Sequence, residues 1–222
     1  FKANFQSSGN LISAFNNTSI IKTVDKYHEI FGIRYAQFMR LSLDLRYFKY
    51  IIKDNQIAAR LMIGAGIPYG NSNDMPFEKS FYAGGTNGMR GWTFRELGPG
   101  TFNNPNGLNI ERIGDIQLEF NLEYRFPIHN FIKGAIFTDI GNIWTMRESE
   151  TFVGGQFKFD TFYKQLAADA GIGLRFDFSF FLFRLDAAAP IVNPAYPEGE
   201  RWRISKLQFK DFILNFGIGY PF

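Results

Sequence analysis

Apolar and polar residues alternate one by one along several segments of the chain, and these segments are longer than typical strands of a soluble sheet. In the clearest run the even positions from Ile116 to Phe126 are apolar, and every odd position between them is polar. Successive side chains of a strand point to opposite faces, so a strand here has one apolar and one polar face. The alternation therefore predicts a two-faced β-strand over this run.

The same alternation predicts strands on both sides of that run. Seven segments are clear and residues 1–14 can supply an eighth; they lie at 1–14, 39–47, 57–65, 114–127, 131–144, 165–178, 180–190 and 209–222. Short turns alternate with long polar connections at 69–113, 145–164 and 190–208. This asymmetry is typical of an all-β transmembrane antiparallel β-barrel, in which the apolar face contacts lipid and the charged face lines the lumen.

The composition favours such a barrel over a soluble sandwich. The chain has 27 Phe and 10 Tyr, yet 20% of its residues are charged and no apolar run is long enough for a membrane-spanning helix. The outward aromatics are expected to contact lipid, and Trp92, Trp144 and Trp202 are candidates for the interfacial girdle. A net charge of +3 is too small to suggest a nucleic-acid partner, and the absence of Cys decides little. Because no signal peptide opens the chain, we expect it to begin inside a longer precursor.

The connection at 69–113 contains the most specific motif of the sequence. Residues 81–99 read FYAGGTNGMRGWTFRELGP, in which Gly84-Gly85 precede the tetrad Met89-Arg90-Gly91-Trp92. This stretch resembles the sixth extracellular loop of the BamA/TamA superfamily of outer-membrane assembly and translocation barrels. Trp92 stands where that family more often has Phe or Tyr. The segments NLEYRFPI (121–128) and FTDIGNIW (137–144) resemble strands of the same family.

The resemblance implies partners for the arginine of the motif. In the family the loop folds back into the lumen, so Arg90 is expected to meet Glu123 and Asp139. The alternation independently places both acids on the polar faces of their strands. A guanidinium bonds carboxylates as a bidentate fork, and buried arginine needs such partners. The alternative is that both carboxylates are hydrated and unpaired in the lumen.

The C-terminal residues carry a second resemblance. Asn215, Gly217, Gly219, Tyr220 and Phe222 fit the pattern of the outer-membrane β-signal, which directs a barrel to its membrane. Glycine weakens a strand, and in the resembled family the last strand pairs poorly with the first and opens a lateral seam. Glycines here fit that seam, and they equally fit a need for room beside the folded-in loop.

The resemblance also implies the organisation of the whole protein. The family's loop joins strands eleven and twelve of sixteen, and five predicted strands follow it here. Residues 1–222 are therefore expected to be the C-terminal portion of a sixteen-stranded barrel, with the N-terminal strands and periplasmic POTRA domains outside this chain.

The expected function is insertion or translocation of outer-membrane proteins through the seam, without a cofactor. The expected partners are outer-membrane lipids, unfolded outer-membrane clients, and periplasmic or lipoprotein assembly subunits. The alternatives are a two-partner-secretion transporter of one dedicated substrate and a passive porin. An enzyme is disfavoured because the only two histidines, His28 and His129, lack neighbouring catalytic or metal-ligating groups.

Overall fold

The computed structural model describes residues 1–16, 20–52, 54–104, 107 and 110–222. The strands are β1 (Lys2–Ser8), β2 (Ile21–Val24), β3 (Tyr27–Ile30), β4 (Ile33–Arg34), β5 (Phe38–Tyr50), β6 (Gln56–Pro68), β7 (Ile116–His129), β8 (Ile132–Trp144), β9 (Ala167–Asp177), β10 (Leu182–Val192) and β11 (Ile213–Ile218). A short helix, α1, spans Asn10–Ser13, and 3-10 turns lie at Phe77–Lys79, Phe162–Gln165, Ile204–Lys206 and Phe209–Asp211.

Eight of these strands form one antiparallel sheet in the order β1-β5-β6-β7-β8-β9-β10-β11. In the described part of the chain β1 and β11 lie at opposite edges, so the sheet is an open part of a barrel rather than a closed one. The fold class predicted from the sequence is confirmed, as is the count of eight strands. The larger barrel of sixteen strands stays a prediction.

The two faces of the sheet have the polarity predicted from the alternation. In β7, Asn121, Glu123 and Arg125 are buried, whereas the intervening Leu122 and Tyr124 are exposed. This is the reverse of a soluble sheet, in which apolar side chains are buried and charged ones are solvated. The apolar face is therefore the lipid-facing surface and the polar face is the lumen wall.

All long connections leave the sheet at one end and all short turns at the other. The sequence had predicted three long connections, and the structure adds a fourth at 9–37. It contains α1 and the small sheet β2-β3-β4. The prediction of a strand over 1–14 is thus wrong beyond Ser8, because Gly9 adopts a left-handed φ of +79° that ends β1.

The predicted strand at 209–222 is also shorter than expected. Residues Phe209–Asp211 form a 3-10 turn closed by a capping box between Gln208 and Asp211. At the other end Gly219 has a φ of +85°, which ends the extended conformation. Phe222, placed on the lipid face by the alternation, is instead 6% exposed.

The prediction that Trp144 belongs to an interfacial girdle is wrong. Trp144 is fully buried, and its indole Nε1 donates to Gln165 Oε1 at 2.6 Å beneath the 145–166 connection. Trp202, by contrast, is 66% exposed. Among the described residues, no helix is long and apolar enough to cross a membrane.

Candidate functional site: an arginine lock inside the sheet

The connection between β6 and β7, residues 69–115, returns across the polar face of the sheet. Its apolar side chains form a small core with residues of β8 and β9. The members of this core are Phe81, Ala83, Met89, Trp92, Leu97, Ile143 and Ala167. Met89 is completely buried and Trp92 is 7% exposed, so the motif lies inside, as the family resemblance implies. Burial of these apolar side chains stabilises the loop in one position against an otherwise charged wall.

The motif is presented by a tight turn that begins at two glycines. Gly84 and Gly85 have φ of +101° and +95°, which L side chains rarely adopt. A Cβ at Gly84 would also lie within 2.1 Å of the Thr93 carbonyl oxygen. The turn closes where the Gly85 amide donates to the Trp92 carbonyl at 2.8 Å. Arg90 is thereby held in the turn with its side chain directed at the wall.

Arg90 lies between the two carboxylates that the sequence assigned to it. Its Nε and Nη2 donate to the two oxygens of Asp139 at 2.8 and 2.9 Å, and its Nη1 donates to Glu123 Oε2 at 2.6 Å. All three side chains have no exposed surface. The guanidinium carbon also lies 3.4 Å from the centre of the Phe137 ring. We call Arg90, Glu123 and Asp139 the arginine lock.

Glu123 has two further cationic partners that the sequence reasoning missed. Arg125 Nε donates to its Oε1 at 2.7 Å, and Arg175 Nη2 lies 3.0 Å from its Oε2. Asp139 has no second cation among its described partners; it accepts from the Asn121 amide at 3.0 Å. The two carboxylates of the lock are therefore unequal, since only Asp139 depends on Arg90 alone for positive charge.

The lock extends to β9 and β10 through acids that the motif search did not select. The Gly91 amide donates to Asp169 Oδ2 at 2.8 Å, and a Cβ at Gly91 would lie 2.5 Å from that of Asp169. Arg175 Nη1 also donates to Asp186. Both acids occupy inward positions of the alternation. The register across the short β9–β10 turn, which pairs Arg175 with Arg184 and Gly173 with Asp186, is the signal that could have found Asp186.

The C-terminal residues selected from the sequence lie in two places, on the inner face of β11 and beyond its end. Asn215 is buried, and its Nδ2 donates to the Arg90 carbonyl oxygen at 2.9 Å. Gly217 pairs with Arg184 across the ladder. Beyond the bend at Gly219, the Arg125 guanidinium lies 4.0 Å from the Tyr220 ring centre and 5.7 Å from that of Phe222. Of the two interpretations of the C-terminal glycines, the surroundings of Gly217 favour the second, in which glycine leaves room for inward side chains.

This arrangement braces the loop against the sheet. Removing one partner of a buried, hydrogen-bonded ion pair costs about 3–5 kcal/mol, so the lock fixes the loop strongly. The described residues contain no group of three or more potential metal ligands. His28 lies in β3, within the 9–37 connection, where its backbone amide donates to Asn71 Oδ1 at 2.7 Å. The site links the loop to the five strands from β7 to β11.

Comparison with known proteins extends these observations. A family model described as the Omp85 superfamily domain matches residues 21–222. The chain is similar to the crystal structure of BamA from Haemophilus ducreyi lacking POTRA domains 1-3, with a TM-score of 0.57 and 16% identity over 86% of this chain and 36% of that chain. It is also similar to CdiB from Acinetobacter baumannii, with a TM-score of 0.48 and 16% identity over 86% of this chain and 28% of that chain. The chain thus spans about a third of the length of these structures. No curated protein matches it.

Proposed function

Because the chain belongs to the Omp85 superfamily, we propose that it forms part of a bacterial outer-membrane insertase that assembles other β-barrel proteins. In this proposal the protein is a multi-pass barrel of the outer membrane, with lipids around its apolar face and unfolded barrel proteins as clients. Periplasmic or lipoprotein subunits are proposed as assembly partners. A client strand would pair with an exposed sheet edge, which is β-augmentation.

The observation that carries this proposal is the complete burial of Arg90 against Glu123 and Asp139. A passive porin needs a polar wall that faces water. Here the loop covers that wall, and charged residues of the wall form ion pairs with the loop. A fixed loop inside the barrel suits a protein whose wall must keep its shape while one edge accepts a client.

The proposal is tested with the full-length protein reconstituted in phospholipid vesicles. An unfolded outer-membrane barrel protein is added, and its folded fraction is measured by gel electrophoresis from the mobility difference between unheated and heated samples. We expect Arg90→Ala to slow client folding strongly. Arg95→Ala is the control, because Arg95 lies in the same loop and pairs with Glu111, which is 54% exposed, and not with Glu123 or Asp139.

Three outcomes are informative. Slow folding with Arg90→Ala and ordinary folding with Arg95→Ala support the insertase. Normal client folding with Arg90→Ala refutes the role of the lock. Failure of the unsubstituted protein to accelerate any barrel, together with export of one dedicated substrate from the same vesicles, would replace the insertase by a two-partner-secretion transporter.

A further inference from the structure

A second arginine reaches the loop from the opposite side of the lock. Arg184 of β10 is 1% exposed. Its Nη2 donates to the Thr86 carbonyl oxygen at 2.8 Å and to Asn87 Oδ1, and its Nη1 donates to Asp186 Oδ2 at 3.3 Å. Thr86 and Asn87 form the tip of the turn that presents Arg90. The tip is therefore fastened by contacts other than those of Arg90 with Glu123 and Asp139.

Arg184 can take this path only because residue 217 has no side chain. A Cβ at Gly217 would lie 2.4 Å from Arg184 Nε and 2.8 Å from its Nη2. The guanidinium thus crosses the inner face of β11 through the space that the glycine leaves. Any larger residue at 217 must displace the guanidinium or the strand.

Two other contacts complete the fastening of the loop. On the same inner face of β11, Asn215 donates to the Arg90 carbonyl oxygen. From β6, which lies on the other flank of the loop in the strand order, Arg60 donates through Nη1 to the Asn87 carbonyl oxygen at 3.1 Å. The turn therefore spans the lumen face from β6 to β11.

We infer that Arg184 is a positioning residue for the loop and that Gly217 is the space it requires, so that β11 is held in place by the loop as well as by β10. In the described sheet β11 pairs with β10 along six residues. Six residues is an ordinary strand length, and the contacts of Asn215 and Arg184 on the inner face of β11 add to this ladder in fixing its position. The inference deepens the proposed function and rests on it for any effect on clients.

The test uses thiol labelling, because the chain has no cysteine of its own. A Met89→Cys reporter, at a position of the same turn that has no exposed surface in the closed loop, is placed in the full-length protein in phospholipid vesicles, and its rate of maleimide labelling is measured. Charge-assisted hydrogen bonds are worth enough that losing them corresponds to about a 10- to 100-fold change in an opening equilibrium. We expect Arg184→Ala to raise the labelling rate by that factor.

Gly217→Ala supplies the discriminating comparison. Alanine should strengthen a strand relative to glycine, so a simple effect on β11 would leave labelling unchanged or lower. We expect the opposite, a faster rate that matches Arg184→Ala. The double variant should be no faster than Arg184→Ala alone, because no guanidinium remains for the methyl group to displace. Ile218→Ala, on the lipid face, is the matched control.

Other results would overturn the inference. Unchanged labelling in Arg184→Ala, or additive effects of the two substitutions, would show that Arg184 and Gly217 do not act together. Heat-modifiable mobility shows whether each barrel has folded. Arg184→Lys serves where Arg184→Ala does not fold, and it should label at an intermediate rate because one ammonium cannot reproduce the fork. If labelling rises while client folding is unaffected, the inference stands and the proposed function fails.

Discussion

The inequality of the two carboxylates in the arginine lock predicts which second substitution rescues the loss of Arg90. Arg90→Ala removes both guanidinium bonds to Asp139, which then has no cationic partner among its described contacts. It also faces Asp169 directly across the β8–β9 ladder. Glu123 keeps Arg125 and Arg175. The uncompensated charge is thus that of Asp139.

The magnitude follows from the burial of the group. Leaving a buried charge without its partner costs about 3–5 kcal/mol, which is roughly two to three and a half powers of ten in the equilibrium for opening the loop. We expect Asp139→Asn to recover most of this loss in the Arg90→Ala background, because a neutral amide has no charge to compensate. Glu123→Gln should give no recovery, since it removes the anion that Arg125 and Arg175 need.

The assay is hydrogen–deuterium exchange of the loop amides at 84–97 in the full-length protein in lipid. Exchange should rise in Arg90→Ala, fall again in Arg90→Ala/Asp139→Asn, and stay high in Arg90→Ala/Glu123→Gln. Recovery by Glu123→Gln instead of Asp139→Asn would refute the reasoning. Unchanged exchange in Arg90→Ala would refute it more simply.

Three other substitutions have expected outcomes. Gly171→Ala should loosen the lock in the same exchange assay, because a Cβ there would lie 2.3 Å from the Phe137 ring that supports it; unchanged exchange would contradict this. Glu111→Gln should alter stability against chemical unfolding by less than about 1 kcal/mol, since the Glu111 side chain that pairs with Arg95 is 54% exposed, and a larger loss would be unexpected. Burial raises the pKa of the Asp115 carboxyl above its ordinary value of about 3.9. Its ionised form therefore opposes folding, so stability should decrease as the pH rises through that raised pKa, and Asp115→Asn should remove this dependence; identical pH profiles of unfolding would disprove it.

Much of the sheet follows from the sequence because one physical rule governs it. Each strand that crosses the membrane must alternate, so inward positions such as Glu123 and Asp139 are readable without a structure. Strand ends are set by different interactions. The ends at Gly9 and Gly219 depend on left-handed backbone conformations that an alternation count does not reveal.

The arginine lock was predictable only in part. The motif around Arg90 indicated Glu123 and Asp139, and the structure brings these three residues together. Asp169 and Arg184 were visible as inward polar residues, but their partners depend on strand register and on the path of the loop. Both are long-range properties, since Arg184 and Asn87 are 97 residues apart.

The central claim is that the loop lies inside the barrel with its motif against the lumen wall. A cysteine pair at Gly91 and Asp169 tests it most directly in the full-length protein in its membrane, because an added Cβ at Gly91 would lie 2.5 Å from that of Asp169 and a disulfide joins Cβ atoms about 3.8 Å apart. Mild oxidation should join the two cysteines after a small backbone adjustment, whereas either single cysteine should stay unlinked. Absence of the bond, together with rapid labelling of the 91 thiol by a membrane-impermeant maleimide, would place the loop outside and contradict the account.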